Sequence, residues 1–103
     1  MPYILGVLEE EQERLSSQRK DYMAILDKLP RKGGSIVEKE ISGHKYHYFA
    51  YREGKKVRTE YIKKKDLDEF RKKVAERDRI SRIVSGIDSD LAIIRKVLKG
   101  EFR

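Results

Sequence analysis

Two dipeptides, Ser42-Gly43 and Glu53-Gly54, interrupt a run of alternating apolar and polar side chains between Ser35 and Ile62. Each suits a two-residue hairpin loop, because glycine accepts the positive φ that such turns demand. They divide the run into three strand candidates, Ser35 to Ile41, His44 to Arg52 and Lys55 to Ile62. Loops this short leave little freedom: consecutive strands must pair antiparallel, and the register follows. Side chains alternate along each strand, so two faces can be sorted. One collects Val37, Ile41, Tyr46, Tyr48, Ala50, Val57, Thr59 and Tyr61, and is expected to pack on helices. The other collects Ile36, Glu38, Glu40, Lys45, His47, Phe49, Tyr51, Lys56, Arg58, Glu60 and Ile62. Its charged groups are costly to bury, so it is expected to face outward. A one-residue bulge at Gly54 would exchange the faces of the third strand.

Helical patterns flank this sheet. Ile4, Leu8, Leu15, Tyr22, Ile25 and Leu29 fall on a spacing of alternating fours and threes, completed by Glu11 and Gln18, which predicts a helix over 3–29 with one apolar stripe. Pro30 ends it, since the residue before proline is pushed out of the α region. Arg31, Lys32, Gly33 and Gly34 then read as a flexible, basic hinge. Beyond the strands, Asp66 can cap a second helix, and Asp68 and Glu69 complement its N-terminal dipole. Phe70, Val74, Ile80, Val84, Ile87, Leu91, Ile94 and Leu98 carry its stripe, with Arg77 in the gap. The phase passes through Gly86 without slipping, which predicts one helix over 66–99; a kink there, or a separate last helix capped by Asp88, is the alternative. The fold class is therefore α+β: a long N-terminal helix, a three-stranded antiparallel sheet over 35–62 and a long C-terminal helix. We expect a single domain of 103 residues, its helices paired as an antiparallel hairpin or coiled-coil stalk whose overhang favours a homodimer.

Charge separates the segments. Residues 31–65 hold eleven Lys/Arg and four Glu, so this region accounts for the whole net charge of +7, while the helical segments balance. A basic sheet favours polyanionic partners. The absence of cysteine excludes disulfides and thiolate chemistry, and makes a reducing cytoplasm the default location. The N-terminal apolar run lacks a basic leader and turns acidic at once, and no run approaches membrane-spanning length, so no membrane partner is expected. His44 and His47, three apart on a strand, point to opposite faces and would not chelate one metal. The acidic sets Glu9-Glu10-Glu11, Asp66-Asp68-Glu69 and Asp88-Asp90 are explained by solvation and capping, and no Ser-His-acid arrangement emerges from spacing. We therefore expect no enzyme, no metal and no cofactor.

Basic sheets carrying aromatics bind nucleic acid in two physical ways, by entering the major groove or by stacking on unpaired bases. Lys45, Arg52, Lys55, Lys56, Arg58, Lys63, Lys64 and Lys65 are the candidates for phosphate contact. Phe49 and Tyr51 are the aromatic candidates, with Arg58 beside Phe49 for direct base contact. Tyr46, Tyr48 and Tyr61 are expected to be core residues under the helices. The runs Gly34-Ser35-Ile36, Gly43-His44-Lys45-Tyr46-His47-Tyr48, Tyr51-Arg52-Glu53-Gly54-Lys55-Lys56-Val57-Arg58 and Tyr61-Ile62 resemble a small prokaryotic family that places such a sheet before a long charged helix. They are also similar to the arm-type DNA-binding domain of tyrosine integrases, and to sheet segments near the start of some transposases. That resemblance implies a strand face in a DNA groove and an origin in a phage or other mobile element. A non-enzymatic nucleic-acid-binding protein, with DNA favoured over RNA, is the leading expectation. The competing one is a protein-interaction module, such as a phage-encoded inhibitor of a host nucleic-acid enzyme, acting through its helical hairpin and basic sheet.

Overall fold

The computed structural model describes residues 2–100. Helix α1 (Pro2–Leu26) is followed by strands β1 (Ser35–Ile41), β2 (His44–Glu53) and β3 (Lys56–Ile62), a single 3₁₀ turn (Lys64–Asp66) and helix α2 (Leu67–Leu98). The α+β order read from the sequence is the order found. The chain divides into two compact units: Asp27–Arg79, holding the sheet and the start of α2, and the residues up to Leu26 together with those from Ile80 onward.

The sheet is antiparallel in the order β1-β2-β3. Ile41 pairs with His44, closing the first hairpin over Ser42 and Gly43, whose φ values of 52° and 79° are both positive, as in a type I′ turn. In the second hairpin Glu53 pairs with Lys56, so the loop is Gly54-Lys55, one residue later than expected. Gly54 alone has positive φ there, 62°, which fits a type II′ turn. Sliding the loop by one residue shifts the cross-strand pairing by two. That preserves every side chain's face, and no bulge intervenes.

The two faces hold the residues expected of them, but the packed one is the opposite of the expectation. Phe49 is 4% exposed and Ile62 5%, in a cluster with Leu67, and Ile36, Tyr51, Phe70 and Val74 pack around them. The Phe49 and Phe70 rings lie 5.2 Å apart between centroids. Tyr61, Val57 and Ile41, assigned to the core face, are 56%, 64% and 51% exposed. The physical reason lies in position within the face rather than in its total composition. Ile36, near the start of β1, pairs with Phe49 in the middle of β2, and Ile62 stands at the end of β3 where the chain turns toward α2. Leu67, Phe70 and Val74 therefore need cover only this apolar centre. The charged residues of the same face stay exposed around it and pair with one another, as Glu38 does with Lys45 (3.6 Å) and His47 (3.2 Å), and Glu53 with Arg58 (3.3 Å).

The segment read as a hinge is clamped. Arg77, the polar gap in the α2 stripe, is 7% exposed. Its guanidinium Nη1 donates to the carbonyls of Arg31 and Gly34, both at 2.8 Å, and Nε and Nη2 donate to Asp78 Oδ1 at 3.0 and 2.8 Å. The Gly34 amide closes a turn on the Arg31 carbonyl at 3.1 Å. Gly34 also admits the Phe49 ring: a Cβ there would stand 2.2 Å from Phe49 Cζ.

In the other unit, Leu15 of α1 is buried in one cluster with Ile87, Leu91 and Ile94 of α2, and Leu8, Tyr22, Ile83 and Leu98 pack against them. Arg19 Nε donates to Asp88 Oδ1 at 2.6 Å. The middle of the α1 stripe is thus the packed part; Ile4 and Ile25 near its ends are 49% and 44% exposed. Helix α1 stops at Leu26, short of Leu29. Helix α2 is unbroken through Gly86, so Asp88 is an interior residue of it and caps nothing. Among the described residues, no helix is long and apolar enough to cross a membrane.

Gly34→Ala should lower unfolding free energy by about 1–3 kcal/mol, the range for overpacking a filled core, in urea denaturation followed by circular dichroism. Gly6→Ala, where a Cβ meets nothing within 4 Å, should leave the midpoint unchanged or raise it slightly. Equal midpoints for Gly34→Ala and the parent would show that the Phe49 ring does not sit on this glycine.

Candidate nucleic-acid interface

Register decides which side chains share the open face. Directly paired residues lie on one side of a sheet. The pairs Val37 with Tyr48, Tyr48 with Tyr61, Lys39 with Tyr46 and Arg52 with Val57 therefore place all of these on the side away from Phe49. Tyr61 stands between two tyrosines, its ring 6.4 Å from that of Tyr46 and 5.7 Å, edge-on, from that of Tyr48. His44 extends the row, its ring centroid 6.5 Å from that of Tyr46. Lys39 Nζ lies over the Tyr48 ring, 5.2 Å from the centroid, within the range of a cation–π contact. Tyr46 and Tyr48 are half-buried by this mutual packing, and Tyr61 is exposed.

The charges are unevenly shared between the faces. The strand residues of the open face are Ser35, Val37, Lys39, Ile41, His44, Tyr46, Tyr48, Ala50, Arg52, Val57, Thr59 and Tyr61, and none is acidic. All four strand glutamates, Glu38, Glu40, Glu53 and Glu60, belong to the packed side. An approaching polyanion therefore meets Lys39 and Arg52 on the open face with no carboxylate beside them on it.

The sequence-predicted site residues are scattered by this arrangement. Phe49 is buried, and its proposed partner Arg58 pairs with Tyr51 in the register and forms an ion pair with Glu53. Tyr51 packs at the margin of the buried cluster, with the Arg31 guanidinium over its ring at 4.8 Å. Its hydroxyl donates to Glu60 Oε1 at 3.1 Å, which holds the phenol pKa above its ordinary value, helped by partial desolvation and the neighbouring carboxylates. Lys45 and Lys56 lie on the same side, at the ends of their strands. Lys55 is in the second hairpin loop, and Lys63, Lys64 and Lys65 are exposed where the chain leaves β3. Of the named set, Arg52 alone is a strand residue of the open face.

Sequence reasoning missed Tyr46, Tyr48, Tyr61 and Lys39 as surface groups. A signal was available: sorted by face, one side has no acid. His44 and His47 do lie on opposite sides of β2, as expected, with His47 Nε2 3.2 Å from Glu38 Oε2.

A family model described as Domain of unknown function (DUF6788) matches residues 5–72, which take in most of α1, the whole sheet and the start of α2. The chain belongs to that family. Comparison with curated proteins and with solved structures finds no match.

The burial of the two faces predicts unequal responses to truncation. Phe49→Ala should reduce stability by about 3–5 kcal/mol, as for other buried aromatics. Tyr61→Ala should lose about 1 kcal/mol or less, the worth of its cross-strand ring contacts. Denaturant midpoints of the two variants check this, and a larger loss for Tyr61→Ala would reverse the assignment of the faces.

Proposed function

We propose that the chain is a non-enzymatic nucleic-acid-binding protein that uses the open tyrosine face of its sheet. The observation that carries this reading is the coincidence on one surface of three neighbouring tyrosines, two cations and no carboxylate. Aromatic rings stack on bases irrespective of sequence, and lysine and arginine neutralise phosphates and release their counterions. A cluster of exposed rings, tilted 57° and 63° against one another, suits unpaired bases, whose π-faces are accessible from several directions, better than the stacked interior of a duplex. Single-stranded DNA is accordingly the first ligand to test, with RNA bound by the same chemistry. Tyr61, at the centre of the row and the most exposed of the three, would take the principal base contact. Lys39 and Arg52 would hold the backbone, and Lys55 in the adjoining loop would add to the field.

Fluorescence anisotropy of labelled single-stranded DNA, duplex DNA and RNA across a salt series tests the reading. Single strands should bind most tightly, with affinity falling steeply as salt rises. Lys39→Ala and Arg52→Ala should each reduce the salt slope by about 0.7. Tyr61→Ala should weaken binding roughly tenfold, within the ~1–3 kcal/mol range of one base stack. Arg58→Ala, on the packed side, should change affinity less than twofold. Absence of binding to all three polymers at low salt would contradict the proposal, as would equal losses for Arg58→Ala and Tyr61→Ala.

A further inference from the structure

Strand β3 ends before the sheet does. Its last residue, Ile62, pairs with His47, so no strand faces His44, Lys45 and Tyr46 on that side of β2. The chain instead turns away into the 3₁₀ turn that begins at Lys64. The space left where β3 would have continued is a groove of about 520 Å³. Gly43, His44, Lys45 and Tyr46 line it from the first hairpin, and Tyr61 and Lys64 line it from β3 and the turn that follows.

Three features of this groove bear on what it can hold. None of its lining residues is acidic, while Lys45 and Lys64 bring two cations. Lys45 lies 3.6 Å from Glu38, a carboxylate that His47 also engages, but Lys64 has no carboxylate within 4.0 Å among the described residues. Tyr46 and Tyr61 belong both to the groove and to the row of rings on the open face. A strand stacked on those rings would therefore pass its backbone directly into a cationic recess.

We infer that this groove seats a phosphodiester of a single strand whose bases stack on Tyr46 and Tyr61, with Lys64 as the principal counter-charge. The inference rests on the nucleic-acid reading above and adds to it a defined exit for the strand. Lys64 and Lys65 are neighbours of equal charge, yet only Lys64 lines the groove, so the pair separates a seat from a general field.

The test compares oligothymidylate binding to the parent, Lys64→Ala, Lys65→Ala and Tyr61→Ala over a salt series. Lys64→Ala should weaken binding about tenfold and reduce the salt slope by about 0.7, whereas Lys65→Ala should weaken it less than threefold. Thermal melts of the two lysine variants should coincide with the parent, since both side chains are exposed. Equal effects of the two lysine substitutions would overturn the inference while leaving the tyrosine platform intact, provided Tyr61→Ala still weakens binding. Failure of the parent to bind any oligonucleotide would overturn both. Replacing chloride by inorganic phosphate at constant ionic strength should compete less than twofold; strong competition would assign the groove to the free ion instead.

Discussion

The Phe49 ring sets the orientation of everything around it. It needs three things at once: a partner across β1 in Ile36, a covering surface from Leu67, Phe70 and Val74, and the missing side chain of Gly34. Buried apolar surface is worth roughly 25 cal/mol per Å², and no other strand aromatic of this chain is buried so completely. Once that ring is inside, alternation along the strands leaves no choice for the others. Tyr46, Tyr48 and Tyr61 must face away. The clamp by Arg77 completes the arrangement, because two carbonyls of the segment entering β1 receive a charged donor from the helix that covers Phe49. Burying an arginine is tolerable when its donors are occupied, and here Nη1, Nη2 and Nε all are.

Much of the fold was legible because the local signals agreed. Two glycine-bearing turns, alternation between them and two apolar stripes at helical spacing lead to the observed element order, and the even shift at Gly54-Lys55 left the faces intact. The unbroken phase through Gly86 foretold a continuous α2. The orientation of the sheet was not legible from the count of charges on each face. A face with many charged residues can still be the packed one if its apolar residues Ile36, Phe49 and Ile62 form one patch and its charges, even Glu38 and Glu60 in the same cross-strand rows, stay exposed and take polar partners there. Arg77 illustrates the same limit. In a stripe of apolar positions it reads as a polar interruption, and only the tertiary fold supplies the two carbonyls that make its burial favourable.

Function in this account follows from segregation rather than from total charge. The basic excess of the 31–65 region pointed toward polyanions, but several of the cations responsible for it sit beside glutamates on the packed side. Surface ion pairs of that kind are weak individually, yet they cancel the field that an incoming phosphate would feel. The open face carries fewer cations and no acid, and its tyrosines supply contact area with little conformational entropy to lose. The candidate surface is thus smaller and better defined than composition suggested. It is continuous with the groove at the end of β3 through Tyr46 and Tyr61.

Hydroxyl-radical footprinting with mass spectrometry, on the free protein and with saturating single-stranded DNA, tests the central claim most directly. In the free protein Tyr61 should be oxidised readily and Phe49 protected. Addition of DNA should protect Tyr46, Tyr48 and Tyr61, and leave the labelling of Tyr51 unchanged. Rapid oxidation of Phe49 in the free protein, or protection by DNA confined to Tyr51 and the residues beside it, would contradict the account.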